Sequence, residues 1–123
     1  MKTIEISVVD PKEDFARLIG LTRRIDAGED LPEATQRLYF TSMKQLFSAI
    51  TEKRMEIIRY VAAHEGVNIR QLTQGLGRDY KNVYEDVRDL CEYGLLEKDD
   101  KGGLSAPYDQ IVIRANVREQ RAA

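Results

Sequence analysis

The chain has very little of what most catalytic and metal sites are built from. Its 123 residues include one cysteine and one histidine. A lone Cys91 excludes an intramolecular disulfide framework, and a lone His64 leaves no Cys/His metal cluster to assemble. The same scarcity leaves no Ser/His/Asp or Cys/His set for nucleophilic catalysis. Long apolar runs are missing too. No stretch approaches the roughly 20 residues of a membrane-spanning helix, so no membrane partner is expected. The first residues, MKTIEISVVD, carry acidic side chains within and after their short apolar run. They therefore lack the basic–apolar–small order of a secretory signal, and a cytoplasmic protein is expected. Gly75, Gly77 and Gly102-Gly103 do not form a phosphate-cradling loop after a strand. The six tyrosines are scattered rather than arranged as a stacking platform for single-stranded nucleic acid. Neither an enzyme nor a cofactor is expected.

What is present is a soluble globular balance, 42% hydrophobic and 33% charged, in a length that supports one modest core. The formal net charge is −2. Between Thr51 and Ala106 nine basic residues face eleven acidic ones. A nucleic-acid binder is expected to carry a basic footprint. If this chain binds one, sequence-independent attraction to phosphates should be weak, and specificity must rest on few contacts or on dimerisation.

Alternation in Lys2–Val9 places Ile4, Ile6 and Val8 on one side of a strand. Asp10-Pro11 starts a helix through Phe15, Leu18, Ile19 and Thr22, stopped at Gly28. Arg37–Thr41 reads as a second strand, with Leu38 and Phe40 opposite Tyr39. Ser42–Gln45 has the form of a capping box ahead of Leu46, Phe47 and Ile50. Thr51 caps a helix whose apolar stripe is Met55, Ile58, Val61 and Ala62. Asn68–Gln71 is a second capping box, with Leu72 and Leu76 on the buried side and Gly77 as a left-handed stop. Asp79 caps the next helix, which ends at Gly94. Asp99–Gly102 is the turn of a hairpin between Leu95–Lys98 and Gly103–Ala106. Gln110–Val117 alternates Ile111, Ile113, Ala115 and Val117 as a last strand.

Two capped helices joined by a tight turn and followed by a hairpin are the plan of a winged helix-turn-helix. The expected fold class is therefore α+β: a winged helix-turn-helix domain over 42–117, including the C-terminal strand. An N-terminal strand-helix-strand extension over 1–41 precedes it, and a frayed tail over 118–123 follows. At 100° per residue, Val83, Val87 and Leu90 share the inner face of helix 80–93, with Cys91 beside them and Tyr80 near its edge. Lys81, Asn82, Glu85 and Arg88 lie opposite, flanked by Tyr84. Asn pairs bidentately with adenine, Arg or Lys with guanine, and Glu accepts from cytosine. Arg70, Arg78 and Lys101 are the candidate phosphate contacts. An ordinary solvated helix face competes with this reading, but the capped helix before it and the hairpin after it favour recognition. His64 falls at a helix end, where it suits the C-terminal dipole.

The segments TEKRMEIIRYV, NIRQLTQGLGRDYKNVYEDVRDLCEYGLLEKDD and PYDQIVI carry a family resemblance, extending weakly to RLYFTS. Thr51–Ile113 resembles the winged helix-turn-helix DNA-binding regulators of prokaryotes, of the MarR-like and antitoxin types. That resemblance implies transcription regulation on double-stranded DNA. It also implies a role as an antitoxin, with a toxin protein as second partner. One small module makes too few contacts for high specificity, so a homodimer reading two half-sites is expected. The acidic balance motivates an alternative: a winged-helix module that neutralises or scaffolds a protein partner without binding DNA.

Overall fold

The computed structural model describes residues 1–9 and 36–118. Its elements in chain order are β1 (Thr3–Val8), β2 (Gln36–Phe40), α1 (Met43–Ala49), α2 (Glu52–Ala63) and α3 (Ile69–Leu76). These are followed by α4 (Tyr80–Glu92), β3 (Glu97–Lys98), β4 (Leu104–Ser105) and β5 (Gln110–Arg114). The helix expected after Asp10-Pro11 and most of the 118–123 tail lie outside the described residues. Two units are distinguished by their contacts: α2 through β4 fall in one, and β1, β2 and β5 in the other.

The first unit is set by its caps. Thr51 Oγ1 accepts from Arg54 N at 3.2 Å ahead of α2. At α3 the box closes in both directions: Gln71 N donates to Asn68 Oδ1 at 2.8 Å, and Asn68 N to Gln71 Oε1 at 3.0 Å. Asp79 Oδ2 accepts from Asn82 N at 3.3 Å at the start of α4. Each cap satisfies an amide that the helix leaves without a partner, and each contributes about 1 kcal/mol. Gly77, at φ 65°, supplies the left-handed residue that lets α3 stop and α4 begin three residues later. The helices bury Ile57, Ile58 and Val61 from α2, Leu72 from α3, and Val83, Val87 and Leu90 from α4. Leu95, Leu96 and Leu104 bury the base of the hairpin.

The hairpin pairs Glu97 with Ser105 and Lys98 with Leu104, antiparallel. Its turn is built around Asp99, whose Oδ1 accepts from both Lys101 N and Gly103 N at 2.8 Å. Leu104 N donates to Val67 O, and Gly66 N to Leu104 O, each at 2.8 Å, which ties β4 to the segment ahead of α3. A helix-turn-helix followed by a wing is thus the architecture, as the caps and periodicity led one to expect.

The second unit is a parallel three-stranded sheet in the order β2-β1-β5. Ile4 and Ile6 are buried in its central strand, and Phe40 is buried in β2. Tyr39 is exposed opposite Phe40, as the alternation requires.

Four local expectations need correction. In α2 the buried face is Ile57, Ile58 and Val61, whereas Ala62 is exposed and Met55 half-buried. The stripe is rotated because α3 and α4 meet α2 on the side of Ile57, where a branched side chain fills more space than Ala62. Phe47 is 59% exposed, not part of the α1 apolar face. At α1 the box is half as expected: Ser42 Oγ accepts from Gln45 N at 3.1 Å, but Gln45 Oε1 accepts from Thr41 N at 3.2 Å and Thr41 Oγ1 at 2.6 Å, one residue upstream of a standard box. Finally, β5 ends at Arg114 rather than Val117. Its partner β1 reaches only Val8, so nothing pairs beyond, and Val117 is 98% exposed.

Candidate nucleic-acid interface

α4 buries Val83, Val87 and Leu90 and turns the rest of its circumference outward. Tyr80, Lys81, Asn82, Tyr84 and Arg88 are exposed and Glu85 is half-buried. The side chains of Lys81, Asn82 and Glu85 make no hydrogen bond or ion pair among the described residues. Tyr80 and Tyr84 stack with ring centroids 6.3 Å apart at 21°. Arg70 is exposed in the first turn of α3, and Lys101 is exposed in the wing turn.

Arg78 sits differently. Its Nη2 donates to Asp86 Oδ2 at 2.9 Å, and its Nη1 is buried without a partner among the described residues. Asp86 also receives Arg54 Nε at 3.0 Å, and Asp89 receives Arg54 Nη2 at 2.7 Å. Arg54 Nη1 donates to Ala49 O at 3.2 Å. Arg88 reaches Asp89 only at 3.3 Å from a half-exposed position. Burial works against the Arg54 charge, but the hydrogen bonds and negative charges of Asp86 and Asp89 outweigh it and hold its pKa above the usual value. A guanidinium fork from α2 therefore grips one flank of α4. Sequence reasoning missed this pair of carboxylates as partners of Arg54, because the residues stand 32 and 35 positions apart and no local pattern links them.

The network changes the electrostatics of the face. Asp86 and Asp89 are matched by arginines, Asp79 caps a helix, and the Asp99 carboxylate is engaged with backbone amides of its own turn. Four of the eleven acidic groups of the segment are thus occupied in building the module. Lys81, Glu85 and Arg88 remain on the outward side, with Asn82 toward the gripped flank.

On the other flank an open groove of about 360 Å³ runs between α4, Ile69 and Lys98, walled by Tyr84, Arg88 and Cys91. Burial pushes the Cys91 thiol up in pKa and Lys98 offsets this only in part, so the group behaves as a packed thiol. His64 caps α2, with Nδ1 2.9 Å from Tyr60 O and its ring stacked on Tyr60 at 4.1 Å. No group of His, Cys, Asp and Glu among the described residues could hold a metal ion. No described helix is long and apolar enough to cross a membrane.

A protein-family model described as HVO_A0114 matches residues 49–113, more than half of the chain and the whole of the helix-turn-helix and wing. No curated protein matches the chain. Among solved structures, a MarR-like transcriptional regulator from Thermotoga maritima is similar at a TM-score of 0.41 and 20% identity. The match covers 80% of this chain and 65% of that one, so the chain spans somewhat less than two thirds of that structure.

Proposed function

As this chain belongs to the HVO_A0114 family, we propose that its winged helix-turn-helix binds double-stranded DNA as a sequence-specific transcription regulator, with α4 in the major groove. One observation carries this reading. Lys81, Asn82 and Glu85 stand unpartnered among the described residues on the N-terminal half of α4, while the charges around them are paired off. Side chains free to donate and accept at the leading end of the second helix are what base-edge reading requires. Arg88 joins them by giving up a weak contact to Asp89, and Arg70 and Lys101 supply phosphate contacts from neighbouring elements. Arg78 serves the interface through Asp86, by fixing the entry of α4. A homodimer supplies the second half-site.

The test is selection of duplexes from a randomised pool by the full chain, followed by titration of the enriched duplex. Asn82→Ala and Arg88→Ala should each cost about 1–3 kcal/mol of binding and relax preference at one base pair. Equal binding by wild type and the double variant would show that α4 does not read the groove.

A second reading is a protein-docking module, a toxin being one such partner. It is favoured by the outer edges of β2 and β5, which pair with no further strand among the described residues and suit strand addition. Salt separates the two readings, since DNA binding weakens steeply with ionic strength and an apolar protein contact does not.

A further inference from the structure

We propose that the stacked Tyr80–Tyr84 pair is the thymine-reading element of α4, an apolar plate that packs on C5-methyl groups in the major groove. This rests on the DNA-binding reading and names part of its specificity. The two residues are one helical turn apart in the half of α4 that leads into a groove. Their rings stack at 6.3 Å and 21°, which holds them as one surface instead of two independent rotors. They remain 53% and 45% exposed, whereas Tyr60, Tyr93 and Tyr108 of the same unit are half-buried. Neither hydroxyl has a partner among the described residues. So much aromatic surface left in water is a standing gain for whatever covers it. On the floor of a major groove the thymine methyl is the one apolar feature, every other group being a donor or acceptor. Lys81, nearer the plate than Asn82 on the far flank, would read an adjoining polar edge, and the plate would read the methyls.

The experiment uses the full chain and the duplex it enriches from a randomised pool, with each thymine replaced in turn by deoxyuridine. That change removes a methyl and leaves every hydrogen-bonding group in place. Wild type should bind about fourfold more weakly for each contacted methyl removed. Tyr80→Ala/Tyr84→Ala should bind thymine and uracil duplexes alike, and Tyr80→Phe/Tyr84→Phe should keep the wild-type discrimination. Failure of any uracil substitution to weaken wild-type binding overturns the proposal alone, as does discrimination that survives in the alanine variant. A phenylalanine variant as impaired as the alanine one assigns the pair to phosphate contact through its hydroxyls and likewise overturns it. Enrichment of no duplex at all overturns the DNA-binding reading and this proposal with it.

Discussion

A glycine inside a helix is destabilising by about 1 kcal/mol relative to alanine, yet Gly75 lies inside α3. Its reason is Tyr60. A Cβ at position 75 would collide with the Tyr60 hydroxyl and Cζ, and would come within 2.8 Å of Cε2. The ring cannot simply swing away, because it is stacked on His64. Overpacking of this kind costs about 1–3 kcal/mol, which exceeds the propensity gain. Gly75→Ala should therefore lower stability by up to about 2 kcal/mol, read from the midpoint of denaturant unfolding. With Tyr60→Ala already in place the same substitution should become stabilising by up to about 1 kcal/mol, since only propensity remains. Additive effects in the two backgrounds would show that the phenol does not set the residue at 75. The chain alone places Gly75 inside the helix that carries Leu72 and Leu76 but gives no reason for a glycine there, because its partner is 15 positions away.

At the scale of elements, what could be read in advance follows from the range of the forces involved. Thr51, Asn68, Gln71, Gly77 and Asp79 act on amides within three or four residues, so their roles are written locally, and the structure has each of them in place. The Ile57 burial, the exposed Phe47 and the short β5 depend on what lies across from them, and no window of sequence holds that information. The grip of Arg54 on α4 belongs to the same class. Asp86 and Asp89 look like solvated acids of an amphipathic helix until α2 is docked beside them. Removing Arg54 leaves Asp86 to Arg78 and Asp89 to the weak contact of Arg88, so the loss is that of its charged hydrogen bonds, about 2 kcal/mol. Arg54→Ala should show that loss in denaturant unfolding, and it should persist at high salt because the pair is shielded from counterions. Arg54→Lys keeps the charge without the planar fork and should recover only part of it. A loss below about 0.5 kcal/mol would place the network among surface pairs of little consequence.

For the whole molecule the proposed function meets a difficulty, since a chain of net charge −2 would have to read a polyanion. The arrangement of its charges reduces that difficulty without removing it. Arg54 and Arg78 are held by Asp86 and Asp89, which withdraws two cations from any phosphate contact while neutralising two anions near the groove. Of the cations placed at the proposed interface, Arg70, Lys81, Arg88 and Lys101 are left, and Glu85 and Asp100 oppose them. Counterion release scales with the phosphates neutralised, so binding should follow log salt with a slope of magnitude about 4 or less per protomer. Asp86→Asn releases Arg78 toward the backbone and should steepen the slope by about 1 per protomer, even as the fold loses stability. Both are read from titrations of one duplex across a salt series. A wild-type slope well above this limit would mean that Arg54 and Arg78 leave their carboxylates on binding. The ion-pair network would then be a feature of the free protein alone, and the orientation of α4 on DNA would have to be set by the phosphates.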